Sequence, residues 1–194
     1  DEFDKPVADA AGGTALEQHN AQMLSDLVSA LMANDRNIRF AMLSSCGRPF
    51  GVEALDKVRD ISLEPRFSTI CGITGEELRD NFRASVERLA ETVRATRAEA
   101  LALLKDFYGS YCFSGDLVGV YNPAALFRAF ESDRIGEFRP LATLSPKITE
   151  AIAGSGRPLA EFNRIECDAA VLTGTGMCAS SPETMLYAAG YLTI

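Results

Sequence analysis

The 194 residues are 47% apolar, 24% charged and 8% aromatic, with a mean hydropathy of +0.01. That balance excludes a disordered, collagen-like or coiled-coil polymer and fits a folded chain with a real core. Nineteen Lys and Arg against 27 Asp and Glu give a formal charge of −8, which argues against an extended phosphate-neutralising surface and against direct nucleic-acid binding. Five cysteines without a C-x-x-C pair, and His19 as the single histidine, offer no zinc-ligand pattern. No apolar run reaches the ~20 residues of a membrane span, so the expectation is a cytoplasmic protein without a membrane segment.

The chain opens at Asp1 without Met and closes on the β-prone run Tyr191-Leu192-Thr193-Ile194. These ends give the expectation of a fragment of something longer, its last strand cut short. Thr14 to Glu17 reads as a capping box. Met23, Leu24, Leu27, Val28, Leu31 and Met32 then recur at helical spacing, which predicts a long helix with one apolar stripe laid against a sheet. Ile38 to Leu43 follows as a short apolar run suited to a buried parallel strand. Residues 44–65 are punctuated by Gly47, Pro49, Gly51 and Pro65, the pattern of a structured loop, with Ile61-Ser62-Leu63 as a possible short strand.

Thr74 to Glu77 is a second capping box, after which Leu78, Phe82, Val86, Leu89 and Val93 hold one helical face of about five turns. Thr96 to Glu99 repeats the cap, and Leu101, Leu103, Leu104 and Phe107 either begin a new helix or extend the previous one through a kink. Residues 109–122, with Tyr108, Tyr111, Phe113 and Tyr121 around glycines, predict a small hairpin or compact loop whose rings form a core. Three later helices open with a capping side chain and a proline: Asn122-Pro123, Ser145-Pro146 and Ser181-Pro182. The change from mixed to helical patterning puts a subdomain boundary near residue 70.

Two features bear on chemistry. Adjacent carboxylates such as Asp1 and Glu2 can divide the work of nucleotide hydrolysis, one holding Mg²⁺ and the other orienting the attacking water. Such a pair at a terminus is also ordinary solvated charge. The second feature is an absence: no G-x-x-x-x-G-K-[ST] occurs in these residues, and neither Gly12-Gly13-Thr14 nor Gly154-Ser155-Gly156-Arg157 has the lysine of a phosphate cradle. Cys71 and Cys112 have no visible activating base and read as small buried hydrophobes. No G-x-S-x-G supports a serine hydrolase.

Asp1-Glu2-Phe3-Asp4-Lys5-Pro6 resembles the D-E-Y-D-K-P box that serves as Walker B in the bacterial AAA-ATPase-like family. Further blocks agree in order. Asn37 to Ser44 resembles that family's next strand, and Arg59 to Glu64 its D-I-S-L block. Cys71 to Leu78 is similar to C-G-(F/Y)-T-x-E-E-L, Tyr108 to Phe113 with Val120 to Pro123 to Y-D-G-Y-x-F…(V/L)-Y-N-P, and Leu186 to Thr193 to L-x-x-x-G-Y-L-T. The resemblance spans nearly the whole chain. It departs at Ser44-Ser45, where the family has T-G, and at Gly109, Ser110 and Cys112 within the aromatic box.

The resemblance implies an α/β fold: a partial P-loop NTPase-type parallel sheet over residues 1–70, followed by a mainly helical lid-like region over 71–194. It implies ATP and Mg²⁺ as cofactors of a longer parent, with Asp1 as the metal- and cofactor-binding acid and Glu2 as the water-orienting acid. Ser44 becomes a hydroxyl near the γ-phosphate, and Arg48 a candidate arginine finger. Family members often end in a PD-(D/E)XK nuclease-like domain, whose acidic site these residues do not contain. Without the phosphate loop the isolated chain is expected to be inactive. The alternative is a non-catalytic protein-interaction module with a degenerate NTPase fold.

Overall fold

The computed structural model describes residues 1–10, 14–45, 48–49, 51–136, 146–174 and 181–194. Contacts divide the chain into two units, one formed by Asp1–Asp60 and Leu144–Leu192, the other by Ile61–Thr143 with Thr193–Ile194.

In the first unit a short helix α1 (Lys5–Asp9) follows the opening acids, with Pro6 in its first turn, where the missing amide hydrogen costs nothing. The long predicted helix is α2 (Thr14–Ala33). Asn20 ties the two together by donating its side-chain amide to the Pro6 carbonyl at 2.7 Å. Val7, Ala21, Val28, Val52, Ala54 and Leu55 form the core here, with Phe3, Leu24 and Leu43 packed against it. A second cluster gathers Ile148 of α7 (Pro146–Ser155), Phe162, and Leu186 of α9 (Pro182–Ala188). The short α8 (Ala169–Thr173) lies against α9. Ser181 caps α9 by accepting the Thr184 amide at 3.1 Å, as its sequence predicts. The corresponding Ser145 lies outside the described residues, as does the Thr14 side chain.

The second unit is a helical cluster clamped by two very short strands. β1 (Ile73–Thr74) and β2 (Val120–Tyr121) pair antiparallel, Ile73 opposite Tyr121 and Thr74 opposite Val120. Tyr111 bridges Val120 from the other side, which makes the glycine-rich stretch the small hairpin its composition predicts. Helices α3 (Gly75–Asn81), α4 (Arg83–Thr92), α5 (Arg97–Tyr108) and α6 (Pro123–Ser132) surround a core in which Leu78, Val86, Leu89, Ala100, Leu104, Tyr108, Leu126 and Ala129 are completely buried. At roughly 1.5–3 kcal/mol for each large apolar side chain, this cluster is the main source of the unit's stability.

Of the three predicted capping boxes, the two in this unit form. Thr74 accepts the Glu77 amide at 3.2 Å while Glu77 accepts the Thr74 amide at 2.8 Å. Thr96 and Glu99 do the same at 3.3 and 2.7 Å. Each glutamate is thereby held below the usual carboxylate range, first by the backbone amide and then by the threonine hydroxyl. Asn122 caps α6 through the Ala125 amide at 3.0 Å. The predicted five-turn helix after Thr74 is two helices, broken where Phe82 leaves helical geometry at φ −116° and ψ 21°. Thr96 opens a separate helix, which settles the alternative left by the sequence.

The expected α/β architecture with a parallel P-loop-type sheet is overturned. The described residues are mainly helical, and their sheet is the two-stranded antiparallel pair β1–β2. Ile38 to Leu43 forms no strand, with a bend at Arg39, and Phe40 is 79% exposed. A strand needs a neighbour for its backbone groups, and an apolar run with no ladder beside it stays irregular. Ile61-Ser62-Leu63 is likewise a turn. With no sheet to lie on, α2 buries Val28 and, in part, Leu24, while Met23, Leu27 and Met32 of its predicted stripe remain exposed.

Candidate functional site

The opening acids lie beside Ser44, at the end of the apolar run 38–43. Asp1 Oδ1 accepts the Ser44 hydroxyl at 2.7 Å and the Glu2 backbone amide at 3.0 Å. The Phe3 amide donates to the Ser44 carbonyl at 3.2 Å. Two apolar anchors hold these ends together, since Phe3 and Leu43 pack against the same core cluster. The site therefore joins residues 43 positions apart through packing and a few hydrogen bonds rather than through a strand ladder.

Glu2 has a left-handed backbone, φ +50°, uncommon for a residue with a side chain and enriched at functional turns. Its carboxylate lies 3.5 Å from Lys5 Nζ, both groups well exposed, a pair of small energetic weight. Asp4, at the N-terminus of α1, has its carboxyl raised above the usual range by burial, with its own backbone hydrogen bond opposing and the Glu2 charge adding to the rise. Lys5 and Asp4 are the contacts that motif reasoning left out, although Lys5 stands at i+3 from Glu2, a spacing at which helical neighbours meet.

Arg48, expected as an arginine finger, has its guanidinium bound to Asp56 within its own loop. Its side chain is 17% exposed, and its charge is already paired. Asp1 and Ser44 are brought together, Glu2 adjoins them in sequence with its carboxylate on Lys5, and Arg48 is engaged elsewhere.

The oxygen donors at Asp1, Glu2 and Ser44 suit Mg²⁺, a hard ion that keeps most of its waters and uses one or two carboxylates beside substrate phosphates. Among the described residues no three His, Cys, Asp or Glu side chains gather as a cage for a metal ion, so a metal here would depend on water and ligand oxygens. The remaining candidates are structural. Tyr108 and Tyr121 belong to the core, the Ser155 hydroxyl returns to the Ile152 carbonyl, and His19 is exposed. Cys71 and Cys167 are exposed and Cys112 is half-buried, all three as free thiols, which corrects the reading of Cys71 as a buried hydrophobe. Among the described residues no helix is long and apolar enough to cross a membrane.

No family model matches the chain, and no solved structure matches it. It is 28% identical over 201 aligned positions to an uncharacterized protein in the vnfD 5′ region of Azotobacter chroococcum mcd 1. The alignment covers all of this chain and 36% of that protein, so the chain spans about a third of its relative's length.

Proposed function

We propose that these residues belong to a longer protein that binds and hydrolyses ATP with Mg²⁺, and that Asp1, Glu2 and Ser44 form the acidic edge of its nucleotide site. The observation that carries this reading is the hydrogen bond from Ser44 to Asp1 at 2.7 Å, which joins the two motif positions that the AAA-ATPase-like resemblance assigns to one site. The reading does not rest on a parallel sheet within these residues. It places the phosphate-cradling loop elsewhere in the longer protein, and the protein itself in the cytoplasm.

In that site Asp1 would hold the metal, its carboxylate oriented by the Ser44 hydroxyl and the Glu2 amide. The ion, when bound, would neutralise phosphate charge and align the transferred group. Glu2 would polarise and orient the attacking water, and Ser44, half-buried beside Asp1, keeps a lone pair able to accept from that water. Arg48 has no role in this reading, because Asp56 already neutralises it.

The test is the longer protein carrying Glu2→Gln. ATP binding is expected to persist while turnover falls by about 10²–10⁴-fold, the usual contribution of a positioned acid–base group. Wild-type turnover in that variant would refute the role of Glu2. A protein that binds no ATP at all would favour the second reading, a non-catalytic protein-interaction module. One observation supports that second reading: the irregular run before Ser44 exposes 79% of Phe40 and 49% of Met42, the kind of apolar surface that partners cover.

A further inference from the structure

Unit two carries an open notch of about 240 Å³ between α4 and α6, lined by Phe82, Ser85, Arg88, Phe127, Phe130 and Glu131. Its floor is aromatic. The Phe82 ring stacks on Phe130 with centroids 5.9 Å apart and tilts against Phe127 at 5.7 Å. Phe130 is buried, whereas Phe127 is 43% exposed, so the notch keeps an apolar wall in contact with solvent.

The two charges on its rim are not equivalent. Arg88 Nε donates to Asp133 at 2.8 Å and its Nη2 to the Phe130 carbonyl at 2.6 Å, so its charge is locally compensated and its stem is pinned as a wall. Glu131 stands one turn after Phe127 on the same face of α6 and is exposed, with no ion pair among the described residues. An aromatic floor beside an uncompensated carboxylate favours a cation with an apolar stem. Residues 61–143 carry 12 acids against 10 bases, close to neutral, so the preference for a basic partner comes from Glu131 itself. The volume is below the ~300–1,000 Å³ of small-molecule sites and suits one large side chain presented by a peptide.

We propose that this notch docks a basic segment of a partner protein, an aromatic or long aliphatic side chain seating on Phe82 and Phe127 while a Lys or Arg one turn away pairs with Glu131. The inference stands apart from the nucleotide reading, since no residue of that site takes part.

The protein contains no tryptophan, so a tryptophan-bearing probe reports binding by its own fluorescence. The probe is an amidated nine-residue peptide with a central tryptophan, a lysine four residues to either side and alanine elsewhere. Its emission is expected to shift to the blue and saturate with the wild-type chain. Phe127→Ser, at a position 43% exposed, is expected to weaken binding about tenfold as loss of an aromatic anchor, with the thermal unfolding of the variant measured beside it. Glu131→Lys weakens it about 2–5-fold, an effect that high salt removes. Ile70→Ser, which changes an exposed apolar residue of the same unit outside the notch, leaves binding unchanged. The proposal is overturned if the wild-type chain gives no saturable shift, if Phe127→Ser binds normally, or if Ile70→Ser weakens binding as much. It is equally overturned if a probe with glutamates in place of lysines binds as tightly.

Discussion

Two tyrosines from the glycine-rich box are both buried, yet their hydroxyls have different fates, and this gives a sharp prediction. Tyr108 is wholly buried, and its hydroxyl accepts the Gly136 amide at 2.7 Å. Tyr121 is 8% exposed, and its hydroxyl has no hydrogen-bond partner among the described residues. Tyr108→Phe removes the acceptor and leaves the Gly136 amide orphaned. The Phe107 ring lies where a Gly136 Cβ would meet it at 3.1 Å, which hinders a water from replacing the lost oxygen. An orphaned donor costs about 1–3 kcal/mol, and the half-buried position of Gly136 puts the expected loss near the lower end, about 1–2 kcal/mol. For a unit of this size that lowers the midpoint of thermal unfolding by roughly 5–10 °C. Tyr121→Phe, by contrast, changes stability by less than about 0.5 kcal/mol. Calorimetry of both variants, with amide exchange at Gly136, measures the difference, and exchange at that amide should quicken about 5–30-fold in Tyr108→Phe alone. Equal losses in the two variants, or an unaltered Gly136 exchange rate, would refute the assignment of that hydrogen bond as the latch between α5 and the segment after α6.

Leu104→Ala, at a position with no solvent exposure, should cost about 2–5 kcal/mol through a cavity in the core. In urea this appears as a lower midpoint with an unchanged slope. Thr96→Ala removes a capping oxygen and should cost about 1 kcal/mol near neutral pH. Because Glu99 titrates below its unfolded value in the box with Thr96, its stabilisation is present above that unfolded value and is lost as pH falls through the folded one. The gap between wild type and Thr96→Ala should therefore narrow in acid, and a constant gap from pH 7 to pH 2 would contradict the pairing. Asp4 has the opposite sign. Its carboxyl is raised by burial, so its contribution is present below the unfolded value and lost as pH rises through the folded one. Carboxyl-carbon NMR should show Asp4 titrating above the ordinary aspartate range and moving back down in Glu2→Gln, since the Glu2 charge adds to the rise.

The parts of the fold readable from sequence were those whose causes are local. Thr74 and Glu77, Thr96 and Glu99, Asn122 and Pro123, and Ser181 and Pro182 each carry the donor, the acceptor and the fixed backbone angle of a helix start within four residues. The break at Phe82 was hidden because α3 and α4 serve the same core. Leu78 and Val86 are both fully buried, so the apolar period runs through the break unchanged. The run from Ile38 to Leu43 failed for a different reason. Its composition describes what a strand would bury, while strand formation depends on a partner that composition does not supply.

The same distinction separates the members of the candidate site. Arg48 was read from its residue type, and its actual partner, Asp56, is an exposed acid eight residues on within the same loop, a pairing with no helical or strand period to announce it. Asp1 and Ser44 lie much further apart in sequence, and neither charge nor spacing announces the hydrogen bond between them. Their contact survives the loss of the expected sheet because Phe3 and Leu43 anchor the two flanking segments in one apolar cluster. Burial of these side chains fixes the backbones from which Asp1 and Ser44 project, and the hydrogen bond between them needs no ladder. A local contact of this kind can therefore form without the expected architecture, since the first depends on two anchored side chains and the second on strands that the described residues do not form.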